Sequence, residues 1–415
     1  MDIDKRHIIE ISDKLQAAAS SVKILRSIAW PKSVKDDFFR SGMNKLPEVS
    51  YLPYDPQPVI SQVKEIRKLI GSEESPISDW ANRIADKIES SALLLGSRGT
   101  LDFFTNSVDL YGRPTGSLQN GGLTTLELAR HFDRAFGVVK DKDLGSPPST
   151  CVLANALADE MTTIVTENFG ELAPEIIMDE NLASNVLAGR RRVSIRPTAC
   201  FSDLDVKQLI AHELFVHVAT SINGSMQPHL KILKEAHPGT TKTQEGLAVF
   251  AEFITGSIDL DRTRRLSDRV IAIQMAIDGA DFMEVFRYYL EKTDQPDQSF
   301  ESAKRVFRGG LLTGKAPFTK DIVYLEGLLT VHTFLKVALS SGQIDLLDLL
   351  FVGKLDISDI PALRILKNLG LIQQPKYMAP WLSDKRYLLA FLSYSSFLPG
   401  LDMHLITKHY ENMLL

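Results

Sequence analysis

Apolar residues recur with helical spacing along most of this chain, and only short stretches alternate with the two-residue period of a strand. Ile8, Ile9, Ile11, Leu15, Ala18, Val22, Leu25 and Ile28 trace one helical face over residues 8–29, which Trp30-Pro31 closes. Four prolines between Leu46 and Pro58 force an extended or turning connection, and helical patterns resume at 59–71 and 76–95. Leu110 to Leu123, rich in Gly, Pro, Ser and Asn, reads as a long ordered loop. In the run from Arg190 to Pro197, Val193 and Ile195 alternate with Ser194 and Arg196, so a short strand is predicted there, stopped by Pro197. Such a strand is placed to bind an extended peptide along its edge. The pattern as a whole predicts an α+β protein, predominantly helical.

Ser202 and Asp205 form a capping pair that opens a further helix, and the residues after it, Leu214, Phe215, Val216, Val218 and Ala219, are apolar nearly all round. That is the signature of a helix buried inside a domain. Within it lie His212, Glu213 and His217, three ionisable groups in six positions, which is costly unless they are paired or bind a metal. The H-E-x-x-x-H spacing is one residue longer than H-E-x-x-H. Residues five apart diverge by about 140° on a straight helix, so the spacing predicts a π-bulge between His212 and His217.

Glu245, in Gln244-Glu245-Gly246-Leu247-Ala248, is the natural third ligand. Thr243 is expected to cap its helix, which runs on through Leu247, Val249, Phe250, Phe253 and Ile254. Gly246 and Ala248 are small enough to let that helix lie against the histidine helix. Glu252, two turns beyond Glu245 on the same face, either orients a ligand histidine or is solvated. Two imidazoles, one carboxylate ligand and a neighbouring carboxylate base are the parts of a catalytic zinc site with one open position, holding one Zn2+ per chain. His229, His237 and His332 are expected to be loop or core residues rather than ligands.

Composition narrows the setting. A chain of 415 residues permits more than one domain. The expected division is a helical N-terminal region at 1–145 and a zinc metallopeptidase catalytic region at 146–415, with one continuous domain as the alternative. The polar connection at 141–150 is the boundary. A formal net charge of -5 provides no broad positive field, so no nucleic-acid partner is expected. No eighteen apolar residues run together, so no membrane partner is expected either. Cys151 and Cys200 form no C-x-x-C pair and read as buried thiols of a reducing compartment. With a charged N-terminus that lacks a signal-peptide core, this makes the expected location cytoplasmic.

The combination His212-Glu213-Leu214-Phe215-Val216-His217, Asn223-Gly224-Ser225-Met226-Gln227-Pro228 and Gln244-Glu245-Gly246-Leu247-Ala248 resembles the bacterial QEGLA-motif proteins, labelled flavohemoglobin expression-modulating. That family is related to the animal microtubule-associated tyrosine carboxypeptidases. Trp30-Pro31, the segments 46–51, 110–114 and 318–327, and Val352-Gly353-Lys354 look like landmarks of the same family, so the resemblance covers nearly the whole chain. It implies a zincin-like metallopeptidase core, with a small sheet beside the H-E-x-x-x-H helix and extra helices at both ends. It also implies a zinc-dependent carboxypeptidase with His212, His217 and Glu245 as ligands and Glu213 as acid/base. The animal members remove a C-terminal tyrosine, so Tyr or Phe is the implied last residue of a peptide or protein substrate.

A carboxypeptidase needs a cation for the free C-terminal carboxylate. Arg192, Arg196, Lys320 and Arg308 are the candidates, with Arg196 the foremost. Tyr324 and Arg308 are the candidate donors to the developing oxyanion. Lys320, Asp321 and Tyr324 begin a helix that continues through Leu328, Val331 and Phe334. Two other readings stand beside this one. A regulatory protein could hold zinc without catalysis, although Glu213 would then have no purpose; an aminopeptidase or other zinc-dependent amide hydrolase could use the same groups.

Overall fold

Several helices in this chain begin where a side chain can satisfy their free amides. Reciprocal capping boxes open the helices Pro76–Gly96 (Ser75 with Ser78), Thr125–Val138 (Thr124 with Glu127), Asp203–Leu209 (Ser202 with Asp205) and Phe282–Thr293 (Asp281 with Glu284). The computed structural model describes residues 4–118, 122–139, 142, 144, 151–180, 182, 184–398, 407, 408, 410, 411 and 413. Helix predominates among them, with two small sheets. Most of the 141–150 connection lies outside the described residues.

The helices expected at 59–71 and 76–95 occupy Gln57–Ile70 and Pro76–Gly96. The one expected over 8–29 ends earlier, spanning Lys5–Ser21, with a separate turn at Ile24–Ser27. Ser20 and Ser21 donate their hydroxyls back to the carbonyls of Gln16 and Ala18, and Val22 follows in extended conformation. Such back-bonding and β-branching both disfavour continuation of the helix.

Strands β1 (Val152–Leu153) and β5 (Cys200–Phe201) pair antiparallel, while β2 (Glu175–Met178), β4 (Arg192–Ile195) and β3 (Val186–Ala188) form a second sheet in the order β2-β4-β3. The expected strand at 193–195 is therefore real but central. Its two hydrogen-bonding edges are taken by β2, parallel, and β3, antiparallel, so it cannot offer an edge to a peptide. Being central also explains why Val193, Ser194 and Ile195 are all buried instead of alternating. The free edges belong to β2 and β3, and β3 packs against the histidine segment. Cys151 and Cys200 correct another expectation: both are exposed and are joined in a disulfide beside the β1–β5 pair. With that bond, the cysteines no longer argue for a reducing compartment.

Three apolar clusters fill the interior. One joins the Lys5–Ser21, Gln57–Ile70 and Pro76–Gly96 helices to Leu247, Ala248, Val331 and Leu363. A second gathers the rings of Phe38, Phe103, Phe282, Phe286, Phe300 and Phe307, and the third lies between the sheet and the histidine helix through Val193, Ile195, Leu214 and Val218. Helices from both sides of residue 145 enter the first two. The helical span Lys320–Ser340 is apolar and long enough to cross a bilayer by composition alone, yet its helix Val323–Ser340 packs along the Glu245 helix, Pro238–Ile254, with residues in both the first and second clusters.

Candidate metal centre

Residues 210–218 wind as a π-helix between the α-helices Asp203–Leu209 and Ala219–Met226. The one-residue excess in the H-E-x-x-x-H spacing is absorbed there, as the geometry required. The wider turn brings the His212 and His217 rings to 4.9 Å between centroids, with their planes at 82°. Each Nε2 lies 3.6 Å from Oε2 of Glu245, and one ligand atom from each of the three residues falls within 4.8 Å of the others.

Glu245 reaches this point from a helix capped at His237, six residues before the expected cap Thr243. Pro238 takes its first turn, where a missing N–H costs nothing, and His237 precedes it. Thr243 is consequently inside the helix rather than at its cap: its hydroxyl donates to Asp356 and accepts the amide of Ile357. Gly246 also has a different neighbour from the one expected. It abuts Gly327 of the Val323–Ser340 helix, where an added Cβ would sit 2.3 Å from the Gly327 carbonyl oxygen. This contact draws Lys320 and Tyr324 alongside Glu245, and Lys320 Nζ stands 3.3 Å from Glu245 Oε1.

Of the two readings open for Glu252, the structure takes the first. Its carboxylate is fully buried and accepts from His212 Nδ1 at 2.6 Å, Gln208 at 2.8 Å and a two-pronged Arg262 at 2.8 and 3.0 Å. Burial opposes its charge, but Arg262 and His212 outweigh that and lower the pKa to about 2. The carboxylate thereby fixes the tautomer of His212, with Nδ1 protonated and Nε2 turned towards Glu245. Burial likewise opposes a charge on His212, but hydrogen bonds to Glu245 and Glu252 prevail and raise its pKa to about 10. His217 is pushed the other way, by burial and by the nearby charges of Lys354 and His212. Glu245 is held well below the usual carboxylate range despite its burial, chiefly by Lys320. Glu213, half-buried, lies within electrostatic reach of His212 and Lys354, and its carboxylate forms no hydrogen bond with another described residue.

A wall of cations stands beside this cluster. The helix Leu260–Asp278 presents Arg262 and, two turns on, Arg269; Arg269 lies over the Tyr324 ring at 4.8 Å, and Lys320 Nζ is 5.4 Å from the same ring. Asp321 is gripped at 2.5 and 2.9 Å by Arg305, with Arg269 at 3.8 Å. Burial opposes its ionisation, but Arg305 and Arg269 keep Asp321 charged far below the ordinary range. Arg308 lies over Phe318 at 5.5 Å, with a buried Nε that has no hydrogen-bond partner. Burial, together with repulsion from Arg305, lowers its pKa to about 10.

Thus Lys320, Tyr324 and Arg308 share one charged neighbourhood, whereas Arg196 and Arg192 belong elsewhere. Arg196 donates Nε and Nη2 to the Leu182 carbonyl at 3.2 and 2.8 Å, and Arg192 is exposed on β4. No contact joins either to the histidines among the described residues. Sequence reasoning missed Arg262 and Arg269. Their mark was present, since two arginines seven apart share a helical face, but that pattern usually belongs to a solvated surface.

The family model for microtubule-associated tyrosine carboxypeptidase matches residues 36–399. Among solved structures, a protein described as a lipoprotein from Colwellia psychrerythraea aligns over 95% of this chain and 77% of its own, with 13% identity and a TM-score of 0.40. No curated protein matches the chain.

Proposed function

Because the chain belongs to the microtubule-associated tyrosine carboxypeptidase family, we propose that it is a zinc-dependent carboxypeptidase with His212, His217 and Glu245 as ligands. The observation that carries this reading is the convergence of two Nε2 atoms and one carboxylate oxygen beside an uncommitted Glu213. The donors suit the ion. A tetrahedral site with bonds of about 2.1 Å has edges of roughly 3.4 Å, and both histidine–glutamate separations are 3.6 Å. The Glu252 hydrogen bond supports His212 as metal-bound imidazoles commonly require. Zinc held there would acidify a water and polarise the scissile carbonyl.

The chain's own residues supply the rest. Glu213 takes the proton of the attacking water and returns it to the leaving amine. Lys320, 3.3 Å from the ligand carboxylate, and Tyr324, whose ring lies 5.4 Å from the Lys320 ammonium, are the donors assigned to the oxyanion. For the free C-terminal carboxylate, Arg269 replaces Arg196. Asp321 is already committed to the fork of Arg305, so Arg269 keeps donors for a bidentate partner. Arg308, with its unpartnered Nε, is the second cation of that subsite.

A peptide panel read by mass spectrometry tests the reading. Peptides with a free C-terminus should lose one residue, Tyr or Phe fastest, while C-terminally amidated copies should persist. Glu213→Gln should keep about one zinc per chain and lose at least about a hundredfold in kcat. Equal cleavage of amidated peptides would exclude a carboxypeptidase, and a requirement for a free N-terminus would establish an aminopeptidase instead. Absence of zinc from folded protein would remove the metal assignment.

A further inference from the structure

The landmarks Asn223-Gly224-Ser225-Met226-Gln227 and Val352-Gly353-Lys354 have no part in the chemistry above, yet they meet behind the π-helix. Asn223 Nδ2 donates to the Phe351 carbonyl at 2.8 Å and Gln227 Nε2 to that of Val352 at 3.1 Å. Gly353 and Gly224 both press on the Leu233 carbonyl, where a Cβ would approach the oxygen to 2.5 and 2.2 Å respectively. The Lys354 amide donates to that same oxygen at 2.7 Å. Only a backbone without side chains can pass so closely, and what the passage delivers is the Lys354 ammonium.

That ammonium is buried, and no carboxylate lies within 4.0 Å of it among the described residues. Its three protons are all used: Nζ donates to the His217 carbonyl at 3.1 Å, to Thr220 Oγ1 at 3.0 Å and to Gln244 Oε1 at 2.9 Å. Two of these partners sit on the elements that carry the proposed ligands. His217 is itself one of them, and Gln244 immediately precedes Glu245. Ser221 Oγ also donates to the His217 carbonyl, at 2.6 Å, so that oxygen draws side-chain donors from two directions. This is expected where a π-turn disturbs the regular backbone ladder. Thr220 ties the group together by donating to Gln244 Oε1 at 2.8 Å.

Burying an ammonium among neutral acceptors is costly, and a methionine would fill the same space without that cost. We propose that Lys354 is a positioning residue: it fastens the His217 end of the π-helix to the start of the Glu245 segment and so fixes the gap between the second imidazole and the carboxylate. The inference rests on reading His212, His217 and Glu245 as metal ligands. His212 is oriented through its ring by Glu252, and His217 through its backbone by Lys354.

The test compares wild type, Lys354→Met and Lys354→Gln, with Leu363→Ala as a core-cavity control of reduced stability. Amide hydrogen exchange across residues 210–218 is measured in the apo-protein. Zinc affinity is measured by competition with a chromophoric chelator, and the visible spectrum is recorded after cobalt substitution. Lys354→Met should accelerate exchange in the π-helix, weaken zinc binding roughly 10–100-fold and alter the cobalt spectrum. Lys354→Gln, which keeps a donor, should fall between it and wild type. Leu363→Ala should lose melting temperature while keeping zinc affinity and spectrum. Wild-type exchange, affinity and spectrum in Lys354→Met would overturn the proposal. If Lys354→Met does not fold, Lys354→Gln decides alone, and wild-type values in that variant overturn the proposal equally. The exchange measurement requires no metal, so a failure of this inference is distinguishable from a failure of the zinc reading.

Discussion

Two groups of basic residues in this protein look alike on paper and behave differently in the fold. Arg190, Arg191 and Arg192 form a consecutive run from the β3–β4 turn into the start of β4, and all three are exposed. Arg262, Arg269 and Arg305 also have charged neighbours in sequence, among them Arg264, Arg265 and Lys304, but they lie on helices, and each reaches a buried carboxylate or ring. A run of charge cannot all face inward on any regular element, so its members are solvated. On a helix the facing direction decides instead, so a charge on the inward face is carried into the interior even with charged neighbours in sequence, and its partners become obligatory.

Asp321→Asn tests this contrast most severely, because it leaves Arg305 and Arg269 without their carboxylate. We expect a loss on the order of 3–5 kcal/mol in denaturant or calorimetric unfolding, and a change below about 1 kcal/mol would show that the buried pairs are not obligatory. Next in size is Arg269→Ala. Cleavage of peptides with a free C-terminus should fall about 10–100-fold in kcat/KM, the worth of a charge-assisted hydrogen bond, whereas Arg196→Ala should change it by less than about threefold. Equal effects would return Arg196 to the carboxylate subsite.

Histidines divide in the same way. Burial, little offset by Asp356, lowers the pKa of His237 to about 4. The unfolded chain binds its proton near pH 6.5, so this contribution to stability is intact above about 6.5 and is lost as pH falls from about 6.5 to about 4. At about pH 5 the loss is roughly 2 kcal/mol. His237→Phe should flatten that part of the stability–pH curve, and the exposed His131→Phe should leave it unchanged. The smallest expected effect is Arg192→Ala, within about 0.5 kcal/mol in unfolding.

What can be read from the chain alone follows the same division between local and distant. The π-helix is legible because the His212–His217 spacing is a local quantity, and the Ser202–Asp205 box because a cap is written in four residues. Glu252 is half legible: its position on the Glu245 face can be read, but its choice of His212 over solvent depends on the helix packed opposite. The central place of β4 is not legible, since it depends on two short strands whose pairing leaves no periodic mark. The Cys151–Cys200 bond spans 49 residues and reflects the β1–β5 pairing rather than any local spacing. Lys354 is visible only within a landmark, and its role escapes the sequence because a lone lysine beside a glycine looks like surface; only the Leu233 contact shows why that glycine must be there.

The Gly246–Gly327 crossing holds two helices at a fixed spacing. Two hydrogens separate the helix bearing Glu245 from the helix bearing Tyr324, and a carbon on either glycine would collide with the opposing backbone. The distance from ligand carboxylate to the Lys320–Tyr324 wall is therefore set by a missing side chain. A methyl spacer of about 1.5 Å at either glycine would widen it by an amount that misaligns reacting groups, since displacements near 1 Å already cost about a hundredfold in rate.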